Sequence, residues 1–195
     1  MPLDSETHRF FIALLPPTDV QDYANQVKQH FADRYHSKAA QKSPPHITLQ
    51  PPFTWNTEAR PVLEQRLSEF ASYQSTVPVT LDGFAAFPPR VIFINVQKTP
   101  ELLTLQQELT QFMQQTLNIE DARTGNRPFS PHLTVAFRDL TKPHFKAAWQ
   151  EFQPQSVFFE FVVLHLTLLI HDGTRWNIDS QFPLLERFKP SDNPA

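Results

Sequence analysis

Two five-residue stretches share one pattern: Pro45-His46-Ile47-Thr48-Leu49 and Pro131-His132-Leu133-Thr134-Val135. Both read proline, histidine, aliphatic, threonine, aliphatic, and the second begins 86 residues after the first in a chain of 195. Aliphatic residues alternating with polar ones specify a strand with one buried face. Side chains alternate along a strand, so the histidine and threonine of each copy point one way and the aliphatic residues the other. A strand–helix–strand order surrounds each copy. The chain is therefore expected to build two similar halves related by an approximate two-fold axis. Each half would present an imidazole and a hydroxyl side by side on an open face.

The rest of the chain supplies the frame. Arg9–Leu15 reads as a strand ending at Pro16-Pro17. Val20, Tyr23, Ala24, Val27 and Phe31 recur at helical spacing, which predicts a helix to about Tyr35, capped by Thr18 or Asp19. His46–Phe53 is a strand and Glu58–Tyr73 a helix. Val77–Phe84 and Arg90–Gln97 are strands around a Pro88-Pro89 turn. Pro100–Leu117 is a helix and residues 118–130 a polar loop. His132–Phe137 is a strand and Pro143–Phe152 a short helix. Val157–Ile170 reads as one long central strand, and Trp176–Pro183 as a final strand after an Asp172-Gly173 turn. Short proline turns between strands favour an α+β fold with antiparallel pairing over a doubly wound parallel sheet.

Composition removes several function classes. The chain has 3 glycines, at 83, 125 and 173, too scattered for a phosphate-cradling loop or a dinucleotide fold. It has no cysteine, so disulfides and thiolate metal sites are excluded. The net charge of -3 excludes a broad basic surface for nucleic acid or membrane, so any phosphate partner must sit in a local pocket. The 19 prolines and 18 phenylalanines suit proline-bounded strands over an aromatic core. The amino-terminal stretch is too polar for a secretory signal and no apolar run is long enough to span a bilayer. The expectation is a cytoplasmic monomer with no membrane partner.

A lone His-x-Thr in a strand carries little information. Two copies, each behind a proline and one per half, bring two imidazoles and two hydroxyls to one place. Imidazoles titrating near neutrality suit complementary base and acid roles. Hydroxyls can donate to phosphate oxygens. The set contains what metal-free phosphodiester cleavage needs. A zinc site normally takes a third ligand, often a carboxylate, and neither motif supplies an adjacent acid, so no metal is expected.

The tetrads His46-Ile-Thr48-Leu and His132-Leu-Thr134-Val resemble the signature of the 2H phosphoesterase superfamily. That group includes the RNA 2',3'-cyclic phosphodiesterases, also called 2'-5' RNA ligases. FFIALLPP resembles the family's first strand and VVLHLTLLIHDGTRWNIDSQFPL its closing strands, so the similarity covers most of the chain. The resemblance implies a bilobal α+β fold. Two pseudo-symmetric halves, with antiparallel sheets lining a central groove and helices outside, would make residues 1–195 a single domain of two intertwined lobes with one motif each. It implies that His46 and His132 are catalytic and that Thr48 and Thr134 bind the phosphate. One histidine would activate water, or an RNA 5'-hydroxyl in reverse, while the other protonates the departing 3'-oxygen, leaving a 2'-phosphate. By analogy His132 is the base and His46 the acid. No cofactor is implied, and the partners are RNA 2',3'-cyclic phosphate ends or small cyclic nucleotides. The alternative is a nucleotide- or RNA-binding module with the same groove and little turnover.

Some bacterial relatives place an arginine five residues after the second histidine. Here Phe137 holds that position and Arg138 follows, which on a regular strand shares the face of His132, Thr134 and Ala136. Phe93 is either a nucleobase-stacking surface or core. Lys42 and Arg127, just upstream of the motif histidines, are groove-rim cations or plain loop charges, and Arg175 is a weaker candidate of the same kind. A third copy, His165-Leu166-Thr167, lacks the proline and reads as structural. His171, near a turn, reads as solvated.

Overall fold

The computed structural model describes residues 6–120 and 128–185. The strands are β1 (Thr7–Leu14), β2 (Ile47–Asn56), β3 (Val77–Phe87), β4 (Val91–Val96), β5 (His132–Ala136), β6 (Phe158–Val163), β7 (His165–His171) and β8 (Trp176–Pro183). The helices are α1 (Thr18–Tyr35), α2 (Arg60–Ala71), α3 (Pro100–Leu117) and α4 (Lys142–Phe152), with a 3-10 turn at Ala39–Lys42. Their sequence logic is local. α1 buries Val20, Ala24, Val27 and Phe31 along one stripe. α3 starts at Pro100 behind Thr99, whose hydroxyl accepts the Leu102 amide, and α4 starts behind Thr141, which accepts the His144 amide.

All eight strands form one sheet in the order β6-β3-β4-β5-β2-β1-β7-β8, and every neighbouring pair is antiparallel. The expected α+β class with antiparallel pairing is therefore the observed one. The two motif strands, β2 and β5, are neighbours at the centre, with three strands on either side. Rather than facing each other across a gap between separate sheets, they lie in one continuous sheet. The helices cover one face: α1 packs on β5, α3 on β2 and β3, α2 on β8 and α4 on β4. Phe10, Ile12 and Leu14 of β1, Ile47 and Leu49 of β2, Ile92 and Ile94 of β4, and Leu133 and Val135 of β5 are buried toward that side in one core. Burying the aliphatic half of each motif commits the other half to the open face.

Two sequence expectations change. The run 157–170 is two strands, not one. β6 pairs with β3 at one edge of the sheet, while β7 sits between β1 and β8 in the other half. The chain switches halves at Leu164, whose carbonyl accepts the Leu184 amide at 2.8 Å. The second change is at the end of the first motif strand, expected at Phe53. β2 continues to Asn56, and the prolines lie where the β1–β2 register shifts, between the pairs Phe10↔Phe53 and Ile12↔Gln50. A bulge is where proline's missing amide can be tolerated inside a sheet.

Candidate functional site

β2 and β5 meet through the pair Ile47↔Leu133. Antiparallel pairing then sets His46 beside Thr134 and Thr48 beside His132, each imidazole next to the hydroxyl of the other motif. All four residues line one cavity of about 810 Å³ on the open face.

Both histidines are held alike. His46 Nδ1 lies 2.7 Å from the Pro44 carbonyl, and His132 Nδ1 lies 2.7 Å from the Ser130 carbonyl. A carbonyl only accepts, so Nδ1 carries the hydrogen and Nε2 is the atom that titrates. Each proline of the Pro-His dipeptide lies inside a short segment whose upstream carbonyl orients the ring. The rings also rest on aromatic neighbours. His46 packs on Phe11 with centroids 4.8 Å apart, and Phe11 meets the edge of Trp176 at 4.7 Å. On the other side His132 packs on Phe93 at 5.1 Å and Phe87 at 5.2 Å.

His46 is pulled down to about 4, first by burial and then by the positive charges of Lys28 and His132, against an opposing hydrogen bond from its ring to Pro44. Lys28 projects from the buried stripe of α1 and donates to the Ser43 carbonyl at 3.0 Å. Burial also lowers the lysine, to about 8.

The predicted rim residues divide. Arg138 and Lys42 line the cavity. Arg138 does so by a different route from a regular strand. β5 ends at Ala136, and Arg138 adopts a left-handed φ of 58° with its guanidinium 5.1 Å from the Phe137 ring. That conformation costs a non-glycine residue of order 1 kcal/mol. The next residue holds it: Asp139 accepts from the Ser37 hydroxyl and from the Lys38 and Ala39 amides at 2.7–2.9 Å, tying the turn to the segment before β2. Phe93 is buried under His132 and Phe87 and does not line the cavity. Arg127 lies outside the described residues. Thr167 is buried, His165 is exposed, and neither reaches the cavity, nor does Arg175.

The sequence reading missed several residues. Arg9 and Phe11 reach the open face from β1, where a fully apolar run hides the two-residue alternation. His171, read as solvated, is half-buried: it lines the cavity and packs on Trp176 at 4.8 Å, with the Arg9 guanidinium 5.5 Å from the same indole. Gly173 and Thr174 join them from the β7–β8 turn. Asp172 shapes that turn, accepting from the amides of Arg175 and Thr174, the Thr174 hydroxyl and the Asn177 amide group. Those donors hold its carboxyl well below the usual carboxylate range. Among the described residues, no three His, Asp or Glu side chains gather in a metal-holding group, and no helix is long and apolar enough to cross a membrane.

One antiparallel sheet, helices on one face and a pair of His-x-Thr strands at the centre of the other define a 2H phosphoesterase. The model of the 2'-5' RNA ligase superfamily matches residues 16–175, and the chain belongs to that family. Curated relatives include a candidate phosphoesterase of Geobacillus kaustophilus, 25% identical over 181 residues that cover 89% of this chain and 95% of the relative. Another, from Bacillus mycoides, is 26% identical over 177 residues with the same coverage, 89% and 95%. Among solved structures, TT0787 of Thermus thermophilus has a TM-score of 0.63 at 22% identity, covering 90% of this chain and 97% of that one. E. coli LigT, crystallised with 3'-AMP, has a TM-score of 0.63 at 20% identity, covering 93% and 100%. These likenesses establish the fold.

Proposed function

We propose that this chain is a metal-independent cyclic phosphodiesterase that opens a 2',3'-cyclic phosphate, on an RNA end or a nucleotide, to a 2'-phosphate. The observation that carries the reading is the crossed arrangement at the sheet centre, with His46 beside Thr134 and His132 beside Thr48 in one cavity. The Thr48 and Thr134 hydroxyls donate to the non-bridging phosphate oxygens. His46 Nε2, neutral near pH 7, removes a proton from water as the water oxygen bonds to phosphorus. His132, on the opposite side, carries a proton on Nε2 and gives it to the 3'-oxygen as the P–O3' bond breaks. The burial of His46 supports this assignment, the reverse of the roles that family resemblance implies. An RNA 5'-hydroxyl in place of water, with the steps run the same way, yields a 2'-5' linkage. Arg138 and Lys42 supply positive charge at the rim. Phe87 and Trp176 offer the aromatic surface first sought in Phe93. The 3'-AMP seen in E. coli LigT supports a nucleotide as occupant.

The test is hydrolysis of adenosine 2',3'-cyclic phosphate by His46→Ala and His132→Ala, with the product's phosphate position read by NMR and EDTA present throughout. Each variant should lose about two or more orders of magnitude in kcat while retaining the fold. Wild-type binding without turnover would make the chain a binding module instead.

A further inference from the structure

Lys28 is 2% exposed, and the Ser43 carbonyl is its hydrogen-bond partner in the described structure. No carboxylate of the described residues lies within ion-pair distance of it. A buried charge ordinarily neutralises or finds a counter-ion. Ser43, whose carbonyl the ammonium holds, lines the cavity, and so does His46 three residues on, whose imidazole feels the lysine's charge. Lys28 itself does not line the cavity but holds the start of the segment Ser43-Pro44-Pro45-His46, both ends of which do.

We propose that Lys28 is a positioning residue whose missing counter-ion is the tetrahedral anion bound in the His46/His132 cavity. The inference rests on the functional reading above for the kind of ligand, a phosphate ester, but not on turnover. Lys28 acts in two ways. The ammonium fixes the Ser43 carbonyl, and through it the short run that carries Pro44, the carbonyl that orients His46. Its field also adds to that of the rim cations without occupying ligand space. The groups concerned are few. From the segment before β2 they are the Ser43 carbonyl and His46. From β5 it is His132, the other positive group acting on His46. Arg9, Lys42 and Arg138 line the cavity from β1, the 3-10 turn and the end of β5. By linkage, anion binding must favour the protonated lysine as much as the protonated lysine favours the anion. Since burial lowers Lys28 to about 8, the empty protein loses this charge in mildly alkaline solution and an anion-loaded one keeps it.

Inorganic sulfate is the probe, because it stays a dianion across the range. Its affinity for the full chain is measured by calorimetry between pH 6.5 and 10, in wild type, Lys28→Arg and Lys28→Met. Wild-type affinity should fall about five- to tenfold as pH rises through the lysine's titration. Lys28→Arg, which does not deprotonate in this range, should bind sulfate without that fall. Lys28→Met should bind about five- to tenfold more weakly already at pH 6.5, again without it. Superimposable wild-type and Lys28→Arg profiles overturn the proposal, and that comparison stands even if Lys28→Met does not fold. An absence of sulfate binding by the wild type overturns it too. The expected profiles in a protein that hydrolyses no cyclic phosphate would instead refute the enzymatic reading and leave the anion site in place.

Discussion

The acid limb of the pH–rate profile is where the site's asymmetry becomes measurable. His46 lies at about 4 instead of the ordinary 6.5. If its neutral form is the base, kcat/KM for adenosine 2',3'-cyclic phosphate should hold down to pH 5 and fall with a midpoint near 4 on the acid side. At pH 5 a group titrating at 4 is about 90% neutral, whereas one at 6.5 is about 3% neutral. The two cases differ about 30-fold in rate, far beyond assay error. The same perturbation bears on stability, and its sign is fixed. Below 6.5 the unfolded chain takes up a proton on this histidine that the folded chain refuses, so stability falls from pH 6.5 toward 4 and is complete above 6.5. From 6.5 to about 4, at about 1.4 kcal/mol per pH unit, the loss is at most about 3.5 kcal/mol. Initial rates should therefore be read beside circular dichroism at each pH, and rates below the onset of unfolding discarded. A midpoint near 6.5 on the acid side, with the protein still folded, would refute both the burial argument and the choice of His46 as base.

Two further perturbations test the rest of the site. Thr48→Val and Thr134→Val each remove one donor to the phosphate and keep the side-chain shape, so each should lower kcat/KM about 10- to 100-fold while leaving the thermal midpoint nearly unchanged. A loss confined to one threonine would show that the phosphate leans on a single motif. At Arg138 both Ala and Gly delete the guanidinium and should weaken substrate to the same degree. Because the backbone there is left-handed, Arg138→Gly should be about 0.5–1 kcal/mol more stable than Arg138→Ala in urea unfolding; equal stabilities would mean that the turn relaxes in the variants.

The motif pair was legible because it uses the simplest rule of strand geometry. Period-two alternation says which way His46 and Thr48 point, and it holds wherever the strand sits in the sheet. What it cannot give is adjacency: that β2 and β5 are hydrogen-bonded neighbours depends on the Ile47↔Leu133 pairing, a contact between residues 86 positions apart. The same limit explains the run 157–170. From Phe161 to Ile170 the residues are apolar apart from His165 and Thr167, and all of them suit a strand. Nothing local marks Leu164 as the point where the chain crosses to the other half. Phe93, read as either stacking surface or core, is covered for a reason that strand alternation does not show. Alternation with the buried Ile92 and Ile94 turns this ring to the open face, as a platform needs, but His132 and Phe87 cover it there. Arg138 reached the cavity through a left-handed backbone that no strand pattern contains.

Acid–base catalysis by two histidines requires that one be neutral while the other is charged, yet a two-fold pair of identical motifs offers two equivalent rings. Their Nδ1 hydrogen bonds are alike, each to a carbonyl two residues upstream at 2.7 Å. The helices that precede the two motif strands do differ. α1 and α3 occupy matching places in the order strand, helix, motif strand. Yet α1 buries a lysine behind the first motif, whereas the only polar side chain that α3 buries is Gln106. A charge in the apolar stripe of α1, four residues after Ala24 and three before Phe31, would be an error in a helix that only had to pack. In this chain it acts on His46 in the same direction as the burial of the ring, which is the larger cause.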